Sequence, residues 1–118
     1  KNITMIAGGS GITPIYQIIN YIIYNKLDIN MTFIYGNKTR NDILLYNDLI
    51  KISEKIKLIF FVENLDMLNY NKHYKIYKGY ITKNVICQNN DLYLLCGPSP
   101  MISHCYEIIN NKQKIIIF

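Results

Sequence analysis

Short apolar runs alternate along this chain with segments whose apolar residues recur at helical spacing. Five runs are rich in β-branched and aromatic residues, and each is nearly continuous in apolar character rather than alternating. Runs of this kind indicate strands that are buried on both faces, as in a parallel sheet covered by helices. The five predicted strands are residues 3–7, 29–35, 56–62, 92–96 and 115–118.

Helical patterns fill the intervals between the predicted strands. In residues 14–25 the isoleucines recur at i, i+3, i+4, i+7 and i+8, which gives a helix one apolar face. Thr13 before Pro14 predicts an N-cap followed by proline at the first helical position, and Ser99 before Pro100 repeats this signal. The predicted helices are residues 14–25, 42–52 and 99–110, with a short one at 82–87.

This order of elements predicts an α/β fold with an open five-stranded parallel sheet, in the order 3-2-1-4-5, and helices on both faces. Residues 63–79 form a connection rich in Tyr, Asn and Lys that carries no predicted element. The chain begins at Lys1 without an initiator Met or a signal peptide. We therefore expect residues 1–118 to be one domain from a longer protein.

Composition excludes several classes of function. With 50% hydrophobic and 18% charged residues, the 118-residue chain is no disordered tail, and it has no run of 18 apolar residues to span a membrane. The net charge of +5 comes from dispersed lysines, so we expect no nucleic-acid partner. Three cysteines without CxxC spacing indicate a reducing, intracellular compartment, and we expect no metal site.

The first predicted strand leads into residues 8–14, GGSGITP, which we call the glycine loop. Glycines allow a backbone to approach a ligand closely, and a helix N-terminus offers free N–H groups to a phosphate. Pro14 stands where the usual dinucleotide fingerprint has its third glycine, and Ile12 excludes the nucleophile elbow of serine hydrolases. Taken alone, the loop is either a phosphate cradle or a tight strand-to-helix turn.

The fourth predicted strand ends in residues 96–101, CGPSPM, which we call the proline loop. Taken alone, it is a rigid loop in which Cys96 is a small buried residue. In the predicted sheet, however, the first and fourth strands are neighbours at the point where the strand order reverses. Ligands bind at the carboxyl ends of strands at such a point, so we expect a nucleotide between the two loops.

These segments resemble the nicotinamide-nucleotide domain of the ferredoxin-NADP reductase superfamily, and most of all that of NADH-cytochrome b5 reductases. The resemblance runs in order along essentially the whole chain. It is carried by GGSGITP at 8–14, NKT at 37–39 with DILL at 42–45, GYI at 79–81, CGPSPM at 96–101 and the final aromatic residue.

The resemblance implies a two-domain flavoenzyme, in which an FAD-binding barrel precedes the NAD(P)H-binding domain. In such enzymes a hydride passes from NADH to FAD, and electrons then leave singly to a haem protein such as cytochrome b5. The expected partners are therefore the FAD-binding domain of the same chain and a haem acceptor. Without that barrel the domain is expected to be inactive, and any membrane attachment would lie in the missing N-terminal part.

The resemblance also implies roles for individual residues. Cys96 takes the catalytic position beside the nicotinamide, where it helps to set the geometry of hydride transfer; its alternative role is packing. Ser10 stands where a threonine is usual and keeps a hydroxyl. The cofactor-binding residues are Gly8, Gly9, Ser10, Gly11, Thr13, Pro14, Lys38, Glu63, Tyr80, Gly97, Pro98, Met101 and Phe118.

Signals for the choice of coenzyme conflict. By resemblance, Glu63 occupies the position of an Asp that faces the adenosine ribose. A carboxylate there repels a 2′-phosphate. The alternative is that Glu63 is a solvated residue at the end of a strand. Lys38 and Arg40 replace a Gln and an acidic residue, and their charges could attract that phosphate. We expect NAD(H), with NADP(H) as the alternative.

Two other hypotheses about function stay open. The chain could be the reductase module of another ferredoxin reductase-like enzyme, which iron–sulfur cysteines outside this segment would reveal. It could also be a non-catalytic nucleotide-binding domain, which nucleotide titration would test.

Overall fold

The computed structural model describes residues 1–67 and 71–118. In these ranges six strands form one sheet in the order β4-β3-β2-β1-β5-β6, and every neighbouring pair is parallel. The strands are β1 Asn2–Gly8, β2 Asn30–Asn37, β3 Ile56–Val62, β4 Lys75–Lys78, β5 Leu92–Cys96 and β6 Ile115–Ile117.

The predicted α/β class with an open parallel sheet is confirmed, but the predicted count of five strands in the order 3-2-1-4-5 is wrong. The additional strand is β4, which the sequence pattern assigns to the connection over residues 63–79. It has four residues, lysines at both ends and no buried position, and it lies at the sheet edge beside β3. An edge strand of this kind has no continuous apolar run to reveal it.

Three α-helices connect the strands in the described ranges: α1 Ile12–Tyr24, α2 Tyr46–Lys51 and α3 Ser99–Ile108. The predicted N-caps are wrong, because Gly11 caps α1 and Pro98 caps α3, and neither helix has a side-chain cap. Among the residues described, no helix is both long and apolar enough to cross a membrane.

The other predicted helices are shorter than the sequence pattern indicates. Leu45 has a φ of 57° and interrupts the predicted helix 42–52, so that a 3₁₀ turn at Arg40–Asp42 precedes α2. Residues 82–87 contain only the 3₁₀ turn Lys83–Val85.

Each face of the sheet carries its own apolar core. On one face, Ile15 of α1 and Leu49 of α2 pack with Phe33 of the sheet. On the opposite face, Cys105 of α3 packs with Tyr93. The prediction of helices on both faces is thus confirmed.

The glycine loop and the proline loop touch because β1 and β5 are neighbours, with Ala7 paired to Cys96. A Cβ atom on Gly11 would lie 2.3 Å from the carbonyl oxygen of Cys96. A Cβ atom on Gly97 would lie 2.9 Å from the backbone nitrogen of Gly8. Since both distances are shorter than a carbon atom tolerates, only glycine lets these two backbones meet.

Gly11→Ala is expected to lower the free energy of unfolding by about 1–3 kcal/mol, the usual cost of forcing extra atoms into a packed site. The backbone φ of Gly11 is −63°, so this loss reports the collision with Cys96 rather than backbone strain. Denaturant unfolding of the two proteins measures it.

Gly36→Ala is the matched control. Its Cβ would be 3.6 Å from the Met101 sulfur, an ordinary contact, so stability should change by less than about 0.5 kcal/mol. Equal losses in the two variants would contradict the proposed contact between the loops.

Candidate functional site

A cleft of about 900 Å³ opens at the carboxyl ends of β1, β2 and β3, bordered by the glycine loop, the proline loop and residues 79–81. This volume is within the range of pockets that hold small organic ligands. The position is the one expected for a ligand site in an open parallel sheet. Of the residues predicted to bind a cofactor, eight line the cleft: Gly8, Gly9, Ser10, Lys38, Glu63, Tyr80, Pro98 and Met101.

The remaining predicted site residues lie outside the cleft wall, and their roles stay predictions. Cys96 is half-buried at the end of β5, against the apolar core that α1 covers. Phe118 is 54% exposed, and its N–H donates to the carbonyl of Leu95 over 2.9 Å. The full set outside the wall is Gly11, Thr13, Pro14, Cys96, Gly97 and Phe118.

Gly9 is the residue of the glycine loop whose backbone conformation requires glycine. Its φ of 53° is in the left-handed region, which glycine adopts readily and other residues rarely do. No atom lies within 4 Å of where its Cβ would be. The residue therefore leaves open space beside the backbone, whereas Gly8 and Gly11 are needed for packing within the protein.

Met101, in the first turn of α3, forms an apolar surface of the cleft. Its sulfur would be 2.5 Å from a Cβ on Gly8 and 3.6 Å from one on Gly36, so the side chain lies across both backbones. Pro98 adjoins it, since a Cβ on Gly8 would also be 3.1 Å from the Pro98 ring. A flat apolar group such as a nucleotide base or nicotinamide could pack on this surface.

Charged side chains lie around the carboxyl ends of β2 and β3. Lys38 and Glu63 line the cleft, and among the described residues the Glu63 carboxylate has no hydrogen-bond or ion-pair partner. Asp42 also lines it, but its carboxylate accepts from the N–H of Thr39 at 3.1 Å and from the Thr39 hydroxyl at 2.9 Å. Of the two carboxylates that line the cleft, Glu63 is therefore the one available to a ligand, as far as the described residues show.

Arg40 does not line the cleft. Its Nε lies 3.5 Å from a carboxylate oxygen of Asp66, and its guanidinium also donates to the carbonyl of Met67. The Asp66 side chain is 83% exposed, so this ion pair is weak, yet it occupies the guanidinium. The positive charge of Arg40, which could have attracted a 2′-phosphate, is thus held by Asp66 and the Met67 carbonyl instead.

Residues 79–81 and α3 form the remaining wall. Gly79 has a φ of 105°, and Tyr80 after it is 71% exposed to the cleft and to solvent. His104 Nε2 lies 2.6 Å from the carbonyl oxygen of Ile81, which fixes this segment to α3. Over the ranges described, no group of three His, Cys, Asp or Glu side chains could hold a metal ion.

The cleft also contains residues that the sequence analysis did not assign to a site. Asn37 is 8% exposed, and its Nδ2 reaches no acceptor among the described residues. Asn37 belongs to the NKT motif at 37–39, from which the sequence could have identified it as a site residue. No local sequence pattern distinguishes Phe61 or His104 in this way. The unassigned lining residues are Gly36, Asn37, Asp42, Leu44, Phe61, Gly79, Ile81, Pro100 and His104.

Known proteins with similar sequences are reductases. The chain is 34% identical to nitrate reductase [NADH] of Petunia hybrida, over 98% of this chain and 13% of that protein. It is 35% identical to NADH-cytochrome b5 reductase 2 of Mycosarcoma maydis, over 96% of this chain and 33% of that protein. The chain thus spans a third or less of these two relatives.

A solved structure has the same fold over the whole chain. It is the cytochrome b5 reductase domain of Ulva prolifera nitrate reductase, with a TM-score of 0.82 and 27% identity. The match covers 100% of this chain and 48% of that one.

Residues 5–107 match the family described as the oxidoreductase NAD-binding domain. This match includes both the glycine loop and the proline loop, which together form one end of the cleft. The resemblance to the ferredoxin-NADP reductase superfamily is confirmed by it, and the chain belongs to the oxidoreductase NAD-binding domain family.

Proposed function

We propose that the chain binds NADH in this cleft as the nicotinamide-nucleotide domain of a flavin reductase. In the whole enzyme a hydride passes from NADH to FAD, and electrons leave singly to a haem protein such as cytochrome b5. The partners are an FAD-binding domain of the same polypeptide and the haem acceptor, in an intracellular, reducing compartment. The observation that carries the proposal is the contact of the glycine and proline loops beside a cleft at the carboxyl edge of a parallel sheet.

The residues of the cleft suit a dinucleotide. Gly9 and Ser10 line the cleft, and Gly9 leaves open space beside its backbone, so phosphate oxygens can approach the glycine loop there. Met101 and Pro98 offer an apolar surface to a planar ring. NADH and FAD supply the redox chemistry when bound, and this domain supplies binding and orientation.

NADH titration of the full-length protein that carries this chain tests the proposal. We expect saturable binding of NADH followed, without oxygen, by bleaching of the flavin absorbance. Failure to bind NADH would refute the proposal. Binding without any flavin reduction would instead favour the non-catalytic nucleotide-binding domain.

The preference for NADH over NADPH rests on charge in the cleft. Glu63 presents an unpaired carboxylate among the described residues, which can accept a hydrogen bond from a 2′-hydroxyl and repels a 2′-phosphate. Arg40 is held by Asp66 and the Met67 carbonyl. Lys38 is exposed, so solvent and salt screen its attraction for a phosphate. The balance favours NADH.

Glu63→Gln is expected to reduce the NADH-over-NADPH ratio of kcat/KM by about tenfold, because the repulsion of the 2′-phosphate is lost. Steady-state kinetics with both coenzymes in the full-length enzyme measure this ratio. Glu54→Gln removes the same charge from an exposed position outside the cleft and should leave the ratio unchanged. An NADPH preference in the unmodified enzyme, or an unchanged ratio in Glu63→Gln, would show that Glu63 is not the selector.

Cys96→Ser distinguishes the proposed catalytic position of this cysteine from simple packing. If Cys96 borders the path of the hydride, the substitution slows flavin reduction by about tenfold or more with little change in Tm. Stopped-flow reduction of the flavin by NADH and thermal unfolding give the two quantities.

Cys105→Ser is the matched control, since Cys105 is fully buried on the inner face of α3 and outside the cleft. We expect it to lower Tm and to leave the reduction rate nearly unchanged. A Cys96 variant that behaved like the Cys105 variant would show that Cys96 only packs.

A further inference from the structure

Tyr35 of β2 connects this strand to the glycine loop, beside the cleft. Tyr35 lies two residues before the end of β2 and is completely buried. Its hydroxyl donates a hydrogen bond of 2.6 Å to the carbonyl oxygen of Gly9. The acceptor lies in the glycine loop after β1, 26 residues away along the chain. The contact therefore ties the glycine loop to the neighbouring strand.

Gly9 needs such a contact because little else restrains it. It has no side chain, its φ is 53°, and the space beside its Cα is open. Its carbonyl also accepts from the N–H of Ile12, a bond within the same short turn. Among the described residues, the Tyr35 hydroxyl is thus the long-range partner of this carbonyl, and it fixes the orientation of the loop on the sheet.

Fixing this carbonyl also fixes the following N–H group. The peptide bond between Gly9 and Ser10 is planar and trans, so the Ser10 N–H points opposite to the Gly9 carbonyl. With the carbonyl directed at Tyr35, the Ser10 N–H is directed away from it. Both residues line the cleft, where a bound dinucleotide would meet this peptide group.

The surroundings of Tyr35 keep its hydroxyl a donor. Burial is the largest effect and raises the pKa of Tyr35 above its ordinary value, against a smaller lowering by the backbone of Leu44. The phenol is therefore protonated at neutral pH. Its ring stacks on Phe33 with centroids 5.4 Å apart, so a phenylalanine would retain the packing and lose only the hydroxyl.

We propose that Tyr35 is a positioning residue for the coenzyme, whose hydroxyl holds the Gly9–Ser10 peptide in the orientation that NADH binds. This inference rests on the proposed function of the cleft. Without the hydroxyl the loop samples other orientations, and binding must order it again, which weakens affinity. Once NADH is bound, the loop is ordered in either protein, so the effect falls on binding rather than on turnover.

Tyr35→Phe in the full-length protein is compared with Tyr93→Phe. Tyr93 is also completely buried, and its hydroxyl donates to the carbonyl of Cys87 and accepts from the Asn90 N–H at 3.2 Å, away from the cleft. Both variants lose a buried hydroxyl with its hydrogen bonds, and both should lower Tm by a few degrees, about 3–6 °C. Tm alone therefore cannot distinguish positioning from general stability.

Two measurements distinguish positioning from general stability: the Kd for NADH, and whether a substitution changes KM or kcat. We expect Tyr35→Phe to raise Kd and KM by about threefold to tenfold, the equivalent of one net hydrogen bond, and to change kcat by less than about twofold. Tyr93→Phe should leave Kd and KM unchanged.

The other possible results contradict either the positioning role of Tyr35 or the proposed function of the cleft. An unchanged Kd in Tyr35→Phe, or equal increases in both variants, would overturn the positioning role and leave the proposed function intact. An unmodified protein that binds no NADH would overturn the proposed function, and this inference with it.

Discussion

The close contact between the backbones of the glycine loop and the proline loop is the constraint on which the cleft at the carboxyl edge of the sheet depends. Parallel pairing of β1 with β5 brings both loops to the same edge of the sheet. Their backbones can meet only because Gly11 and Gly97 lack side chains at the contact. Glycines that a sequence motif associates with ligand binding thus first satisfy the packing of the protein itself. Gly9, by contrast, has open space beside it and remains available to a ligand.

The two ends of the cleft differ in chemistry, and this difference gives it a direction. Toward β5 it presents backbone groups and the apolar side chains of Pro98 and Met101. Toward β3 it presents the charged groups of Lys38 and Glu63. A dinucleotide that places its nicotinamide against the apolar end would bring its adenosine ribose toward the charged end.

The five apolar runs were correctly predicted as strands. For the inner strands β1, β2, β3 and β5 the reason is that a strand covered on both faces is apolar throughout. The edge strand β6 is apolar as well, although Ile116 and Ile117 are exposed. The opposite edge strand, β4, was missed because it is exposed and polar. The predicted helix starts were also wrong, because Thr13 and Ser99 are common capping residues but lie inside the helices here. At α1 the 3₁₀ turn of the glycine loop runs directly into the helix, so the start is set by the loop.

By itself, the sequence determined the α/β class, the location of the two loops and eight of the residues that line the cleft, since each is recorded in a short local pattern. Only the tertiary structure decided which of these groups are occupied by other parts of the protein. Arg40 is bound by Asp66, and the Gly9 carbonyl is bound by Tyr35. Partners of this kind lie some 26 residues apart along the chain, and they meet only because parallel strands bring their ends to one edge. A short local sequence pattern therefore cannot predict such a contact.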